Sequence, residues 1–258
     1  MRIIFVGDVV GRPGRKALKG LLPGLIKFYG ADFCIANGEN AAGGKGITQK
    51  VAEEMFSCGV DVLTSGNHIW DRKEGISYVQ SASNLLRPAN YPPDVGGIGY
   101  GVFRSRSGVP VGVINLQGRT FMPATDCPFR TALRILEEVD VPVKVVDFHA
   151  EATSEKVAMG WFLDGKVGAV VGTHTHVQTA DERILPGGTA YITDVGMTGA
   201  MDSVIGFKKE VALRRFLTQL PMRYEPAEED LWLCGVVVDL DEGTGRALKI
   251  LRLREKLR

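Results

Sequence analysis

Cysteine, histidine, a surplus of charge and long apolar runs are all scarce in this sequence of 258 residues. Its four cysteines lie far apart and form no CxxC pair, which excludes a disulfide framework and a zinc knuckle. Its 31 basic and 30 acidic side chains leave a net charge of +1, which excludes a polyelectrolyte chain. No run approaches the roughly 18 apolar residues of a membrane span, and Asp8 ends the first apolar run too early for a signal peptide. We therefore expect a cytoplasmic protein with no membrane segment.

What the sequence does contain is an alternation of short apolar runs with segments of helical period, which is typical of an α/β fold. No linker, low-complexity tract or internal repeat interrupts residues 1–258, so we expect one domain with helices on the outside. Helices are predicted at about Arg15–Tyr29, Thr48–Cys58, Phe129–Val139, Ser154–Leu163 and Lys208–Leu220. Strands are predicted at Arg2–Val6, Phe33–Ala36, Val60–Thr64, Gly101–Arg104, Val111–Asn115, Val143–Phe148, Val167–Val171, Thr189–Thr193, Leu233–Leu240 and Arg246–Leu253.

Polar side chains follow five of these strands at the point where each strand ends. In open α/β sheets the ligand-binding groups collect at the carboxyl ends of strands. An acid or amide at one such turn is usually a turn former or a helix cap. Here the turns together hold all four histidines of the protein. The five turns are Gly7-Asp8, Asn37-Gly38-Glu39-Asn40, Ser65-Gly66-Asn67-His68, His149 and Gly172-Thr-His174-Thr-His176.

These residue types predict a metal site. Neutral imidazole is the commonest protein ligand of metals, and carboxylate and amide oxygens complete a mixed shell. A single ion is satisfied by three or four protein ligands, so a larger set favours two ions that share a bridging carboxylate. Two ions about 3.5–4 Å apart clamp both the attacking and the leaving oxygen in phosphoryl displacement, which makes phosphoester hydrolysis the predicted chemistry. The candidate ligands are Asp8, Glu39, Asn40, Asn67, His149, His174 and His176.

The ordered set of turns resembles the motifs of the calcineurin-like metallophosphoesterases, and more closely those of their YmdB-like branch. The similarity runs over essentially the whole chain, including Ile3–Arg12 and Ala36–Gly44. Val10 stands where the wider superfamily has a histidine, and Glu39 stands where it has a bridging aspartate. Both departures are those of the YmdB-like branch. The resemblance implies an α/β/β/α sandwich with mixed sheets and helices outside.

The resemblance also implies a set of roles. Two divalent or mixed-valence ions are implied, with iron first, manganese as the alternative and zinc as a third option. The substrate implied is a small cyclic nucleotide, with a 2′,3′-cyclic phosphate first and a 3′,5′-cyclic phosphate second. His68 stays outside the metal shell and protonates the leaving oxygen. Glu39 bridges, the first ion is held by Asp8, Glu39, Asn40 and His176, and the second by Glu39, Asn67, His149 and His174.

The residues support the same mechanism without the family. A hydroxide that bridges two cations is nucleophilic at neutral pH, because the metals lower the pKa of their water. An imidazole with an ordinary pKa of about 6.5 suits the general acid, which fits His68. Asp71 is predicted to cap a helix, and the alternative is that it orients the ring of His68.

Other functions stay open at this stage. A phosphomonoesterase or nuclease can use the same centre, and a nucleotide-sensing regulatory protein can bind without turnover. A purely structural metal role is disfavoured, because structural sites are closed by four ligands. RNA as a substrate and a homo-oligomer also remain open.

The substrate rim is predicted from loops. The candidates are Pro88–Gly99 and Arg119–Phe129, and nothing in the sequence selects among Arg12, Arg119 and Arg130 as phosphate contacts. The basic stretch that begins at Lys208 is interpreted as a solvated face.

Overall fold

The computed structural model describes residues 1–258 as two β-sheets and six α-helices. A short 3-10 turn lies at Lys73–Gly75. The helices are α1 Gly11–Tyr29, α2 Gln49–Ser57, α3 Ile76–Ser81, α4 Pro128–Glu138, α5 Thr153–Leu163 and α6 Lys209–Thr218. The strands are β1 Arg2–Val6, β2 Asp8–Val9, β3 Phe33–Asn37, β4 Val62–Thr64, β5 Tyr100–Arg104, β6 Pro110–Gln117, β7 Val143–His149, β8 Ala169–Thr173, β9 Arg183–Ile184, β10 Ala190–Ile192, β11 Met197–Ala200, β12 Leu231–Leu240 and β13 Ala247–Lys256.

The two sheets pack face to face, and helices cover their outer faces. The first sheet runs β2-β11-β12-β1-β3-β4 with β13 beside β12, and the second runs β5-β6-β7-β8-β10-β9. Side chains alternate along β1, because Ile3 and Phe5 enter the core between the sheets whereas Ile4 and Val6 pack under α1 and α2. A third core lies between the second sheet and the helices α4 and α5. The order of layers is therefore α/β/β/α, as the resemblance implies.

Parallel strands in both sheets aim their carboxyl ends at one edge of the sandwich. The strands β1, β3 and β4 run parallel in the first sheet, and β6, β7 and β8 run parallel in the second. Antiparallel pairing with β12, β13 and β5 makes both sheets mixed. Because the turns after β1, β3, β4, β7 and β8 are those that carry the polar residues, the two sheets bring these turns together.

Several predicted boundaries are wrong for local reasons. Helix α1 begins at Gly11 and not at Arg15, because Pro13 is tolerated in a first turn, where no N–H donor is needed. Strand β4 begins at Val62, two residues later than predicted. The elements β2, β9, β11 and α3 were not predicted, because two to six residues are too few to display a period. The cap of α2 is confirmed, since the Thr48 hydroxyl accepts a 3.4 Å bond from the Val51 N–H. No helix is long and apolar enough to cross a bilayer.

Candidate metal centre

Two carboxylates lie buried at the shared edge of the sheets without a lysine or arginine partner. Asp8 follows β1 and Glu39 follows β3, and they are 0% and 1% exposed. One oxygen of Asp8 accepts the His174 N–H at 3.1 Å, and the other has no hydrogen-bond partner. Buried carboxylates are paired or coordinate metals, because an isolated buried charge is costly. The orphaned Asp8 oxygen therefore marks a place that fits a cation.

Four ligand atoms converge around the ring of His149. Its Nε2 atom lies 3.1 Å from Glu39 Oε1, 3.2 Å from Asn67 Oδ1 and 3.0 Å from His174 Nδ1. Ligand atoms held about 2.1 Å from a shared ion are separated by about 3.0–3.4 Å in octahedral or tetrahedral geometry. The ligand atoms of Glu39, His149 and His174 all lie within 4.8 Å of one another. This group has the donor chemistry and the spacing of a divalent metal site.

A second group of donors faces the same centre from the other side. His176 Nε2 lies 3.3 Å from Asn40 Oδ1. The other ring nitrogen of His176 lies 2.8 Å from the carbonyl oxygen of Ile205, so it carries the proton and leaves Nε2 with a free lone pair. The amide of Asn40 donates to the Gly44 carbonyl at 3.1 Å, which aims its oxygen at His176. Asn40 Oδ1 and His176 Nε2 thus each present a lone pair, not an N–H group, as a metal ligand requires.

The absence of a side chain at Gly66 leaves space for His149 and Glu39. A Cβ atom built on Gly66 would overlap the ring of His149 and the carboxylate of Glu39. The backbone of the turn after β4 therefore passes directly against two of the proposed ligands. Only a residue without a side chain fits at this position.

A network of buried polar side chains holds His149 from behind. Its Nδ1 atom lies 2.9 Å from the Thr173 hydroxyl, which donates to Asp147 at 2.7 Å. The second oxygen of Asp147 accepts from Asn37 at 3.0 Å and from Thr64. All of these side chains are fully buried. The network fixes the orientation of the ring, as is usual for metal-binding histidines.

The turn that carries both His174 and His176 is strained and tied down. The two histidines have φ angles of 102° and 66°, in the left-handed region that residues other than glycine rarely adopt. Asp194 accepts the N–H and the hydroxyl of Thr175 at 3.0 and 2.8 Å. The same carboxylate is paired with the ammonium of Lys156 at 2.6 Å, and both side chains are buried. Strain of this kind clusters at functional sites, where the surrounding structure sustains it.

The charges in the site are strongly coupled. Burial alone would raise the pKa of Glu39, but the neighbouring His149 outweighs it and lowers the pKa to about 2. Burial alone would lower the pKa of His149, but Glu39 raises it to about 9. Burial and the charge of His149 lower the pKa of His174 to about 3. The carboxylates therefore stabilise one positive charge on the pair of histidines, on His149, while His174 is kept neutral.

His68 stands beside this cluster with its ring oriented by a carboxylate. Its backbone N–H donates to Glu39 Oε2 at 3.1 Å, and its Nδ1 atom lies 3.0 Å from Asp71 Oδ2. Asp71 makes no capping hydrogen bond, so the expected helix cap is wrong and the orienting role fits. With Nδ1 on the carboxylate, Nε2 is the ring nitrogen left without a hydrogen-bond partner.

Sequence reasoning named all seven donors of this cluster but missed the residues that orient them. Asn37 and Asp147 lie within two residues of Glu39 and His149, and this adjacency was the only local signal for them. Glu151 accepts from the outer nitrogen of His174 at 3.0 Å, and no pattern pointed to it. Lys156 and Asp194 are far apart in the sequence and meet only in the fold.

The two predicted rim loops line one cavity of about 790 Å³. Tyr91 from the first loop and Asp126 from the second both face it, together with Arg130. The ring of Tyr91 packs edge-on against Trp70, with ring centroids 6.2 Å apart, and Trp70 is two residues from His68. The structure places Arg130 at this cavity.

The sandwich and the cluster of histidine, asparagine and carboxylate donors at its edge define the class of protein as a metallophosphoesterase. The chain belongs to the YmdB-like protein family, whose model matches residues 4–253. It is 51% identical over 98% of its length to the 2′,3′-cyclic-nucleotide 2′-phosphodiesterase of Bacillus subtilis (strain 168), of which it covers 96%.

Solved structures agree with this assignment. The fold matches a hypothetical protein from Thermus thermophilus with a TM-score of 0.94 at 41% identity, over 99% of both chains. It matches a novel phosphatase from Mycoplasma pneumoniae with a TM-score of 0.94 at 37% identity, over 99% of this chain and 93% of that one.

Proposed function

We propose that this protein is a metal-dependent phosphodiesterase that hydrolyses nucleoside 2′,3′-cyclic phosphates, with 3′,5′-cyclic nucleotides as second substrates. The observation that carries the proposal is the convergence of seven buried or half-buried donors beside an imidazole that is not one of them. The Bacillus subtilis relative, at 51% identity, supports the substrate class. Four free cysteines are consistent with a reducing compartment such as the cytoplasm.

The donors divide into two sets, which supports two metal ions. Asp8, Asn40 and His176 would hold the first ion, and Asn67, His149 and His174 the second, with Glu39 shared. When bound, the ions lower the pKa of water and neutralise the charge of the phosphate. Oxygen and imidazole donors without a thiolate suit iron, manganese and zinc, and we propose iron first.

The chain itself supplies the proton. In hydrolysis of a 2′,3′-cyclic phosphate, the oxygen of water bonds to phosphorus and the bond from phosphorus to O2′ breaks. O2′ needs a proton as it leaves, and His68 Nε2 is the donor, since Nδ1 is held by Asp71. The products are a 2′-hydroxyl and a 3′-phosphomonoester.

The test combines metal content with turnover. Elemental analysis of the purified protein should give about two ions per chain, as expected for a paired site. The Asn67→Ala variant should lose one ion and most hydrolysis of adenosine 2′,3′-cyclic phosphate. Asn84→Ala is the matched control, because the Asn84 side chain makes no hydrogen bond and lies outside the site. Less than one ion, with no activity after manganese or iron is added, would refute the proposal.

A phosphomonoesterase is the second candidate, favoured by the phosphatase described for Mycoplasma pneumoniae. Parallel assays with bis-p-nitrophenyl phosphate and p-nitrophenyl phosphate separate the two activities. We expect the diester to be the better substrate, because the Bacillus subtilis relative at 51% identity is a phosphodiesterase. Faster hydrolysis of the monoester would favour the second candidate.

A further inference from the structure

A second cavity, of about 350 Å³, shares no lining residue with the 790 Å³ rim cavity. Asp71, which orients His68, lines it, and so does Gly43 in the loop that follows Asn40. Its other wall comes from α6 and the segment after it, through Arg215, Arg223 and Tyr224. The cavity therefore begins one side chain away from the proton donor.

The lining of this cavity is cationic. Four cations, Lys45, Arg72, Arg215 and Arg223, face it with a single acid, Asp71. Asp71 lies 3.9 Å from Lys45 and already binds His68, so it does not neutralise the remaining charge. Neither Arg215 nor Arg223 forms an ion pair with any acid of the chain.

Two of these cations make contacts within the chain that restrict their side chains. The guanidinium of Arg72 donates to the carbonyls of Ala42 and Lys45, each at 3.0 Å from its Nε atom. Arg215 stacks on the ring of Tyr224, 4.8 Å from its centroid, and that ring packs on Phe207 with centroids 5.0 Å apart. Guanidinium groups fixed in this way suit phosphate recognition. Arg215 is exposed, which agrees with the prediction that the basic stretch from Lys208 forms a solvated face.

The proposed reaction determines which part of the substrate reaches this side. O2′ is the leaving oxygen, but it remains attached to the ribose after the bond to phosphorus breaks. His68 must therefore contact the ribose, and the nucleoside must extend from the metal centre toward His68 and Asp71. A 5′ substituent on that ribose can then reach the cavity that Asp71 lines.

We propose that this cavity binds the 5′ phosphate of the nucleotide whose cyclic phosphate is in the metal centre. The inference rests on the proposed function and narrows its substrate to the 2′,3′-cyclic ends of RNA fragments. A terminal 5′-phosphate and the phosphodiester that links a preceding nucleotide offer the same anionic oxygens. Either group places its charge among Lys45, Arg72, Arg215 and Arg223.

The rim cavity is the weaker candidate for this phosphate. All three nitrogens of the Arg87 guanidinium donate to backbone carbonyls at 2.8–3.0 Å, whereas Nη1 of Arg72 makes no hydrogen bond. Arg134 lies 4.0 Å from Glu138. Arg130 makes neither a hydrogen bond to a carbonyl nor an ion pair, but the acid Asp126 lines the same cavity. The balance of charge thus favours the cavity beside Asp71.

The experiment compares substrates that differ only at the 5′ position. Metal-loaded enzyme is assayed with adenosine 2′,3′-cyclic phosphate, with its 5′-phosphorylated form and with a diadenosine dinucleotide that ends in a 2′,3′-cyclic phosphate. Binding of adenosine 3′-phosphate and adenosine 3′,5′-bisphosphate is measured by calorimetry alongside. The variants are Arg215→Ala, Arg223→Ala and the double substitution. Arg183→Ala is the matched control, since Arg183 is also an arginine stacked on an aromatic ring, 5.6 Å from the centroid of Trp161.

We expect wild-type kcat/KM to be about tenfold higher when a 5′ phosphate is present, as one charge-assisted contact provides. Each single variant should lower this ratio several-fold, and the double variant should bring it close to one, while Arg183→Ala keeps it. The bisphosphate should show the same order of binding. Comparing kcat/KM for the dinucleotide and for the 5′-phosphorylated mononucleotide shows whether an internal or a terminal phosphate binds better. A higher kcat/KM for either one than for adenosine 2′,3′-cyclic phosphate supports the site.

Two results would overturn the inference. One is a wild-type enzyme that treats the three substrates and the two ligands alike. The other is a preference for the 5′ phosphate that survives in the double variant. Failure of the proposed function gives a different result, because none of the three cyclic phosphates is then hydrolysed. The calorimetric comparison of the two ligands still tests the phosphate site in that case.

Discussion

The two sets of proposed metal ligands, here called the two halves of the proposed metal centre, are held in place in different ways. The half around His149 is oriented by buried side chains, since Thr173, Asp147 and Asn37 form a continuous network behind the ring. The half around Asn40 and His176 depends on main-chain carbonyls, those of Gly44 and Ile205. Side-chain networks are changed by single substitutions, whereas carbonyl contacts depend on the conformation of whole loops. We therefore expect the first half to respond to point mutations and the second to respond to the loops that hold it.

Gly66→Ala should have the largest effect, because it acts on the His149 half directly and on the other half through the shared Glu39. The added Cβ atom would displace both His149 and Glu39. Loss of a metal that stabilises several kcal/mol of charge corresponds to roughly 1000-fold in turnover. Metal analysis should give well under two ions per chain. Full activity with two ions bound would show that the turn after β4 shifts freely. Gly108→Ala is the control for a glycine with open space around it, although its φ of 86° adds strain.

Lys156→Met should come next, and it should affect both halves. The turn held by Asp194 supplies His174 to one half and His176 to the other. Removing the ammonium leaves a buried carboxylate without its partner, which costs about 3–5 kcal/mol of the free energy of unfolding. Chemical denaturation measures that loss, and metal titration should show weaker binding at both halves. Weaker binding at one half alone would contradict the role of this ion pair in the shared turn.

His68→Ala should lower turnover without touching either half. The His68 side chain is bound to Asp71 and not to any of the seven donors. General acids contribute about 100-fold or more, so kcat for the 2′,3′-cyclic substrate should fall by at least that factor. Metal content should stay at the wild-type value. A substrate with a much better leaving group should recover part of the rate, and loss of metal in this variant would sink the assignment.

Asp147→Asn should have the smallest effect on metal affinity. It is also the most direct test of whether the two halves bind their ions independently. The substitution keeps the shape of the side chain but places an amide against Thr173 or Asn37, both of which donate to Asp147. Outer-shell changes of this kind typically lower metal affinity by about 10–100-fold. Competition titrations should show one weakened ion and one unchanged ion. Equal weakening of both ions would mean that the halves are not independent.

The candidate metal ligands could be predicted from the sequence, whereas the side chains that orient them could not. Asp8, Glu39 and His149 each follow an apolar run, and the ends of parallel strands meet at one edge in any fold of this class. Asp147 lies within a buried strand, where one acid among apolar residues gives no sign of which side chains it meets. Asp194 and Lys156 are joined only by the packing of α5 on the sheet. Local patterns carry no information about such distant contacts.

The same limit applies to the cationic cavity. Arg215 lies on α6 and Lys45 lies in the loop after β3, so their shared lining depends on how α6 folds over that loop. The pattern of α6 predicted its helical state correctly. It could not predict which loop the helix would face.

Scarcity of histidine has a practical consequence for spectroscopy. The protein has four histidines, and all of them are ligand candidates or the proton donor. Every imidazole resonance in a nuclear magnetic resonance spectrum of this chain therefore arises from the proposed catalytic centre, with no background from the rest of the fold. Uniform ¹⁵N labelling alone gives a set of reporters in which tautomer, metal loading and substrate arrival can be followed at each ring.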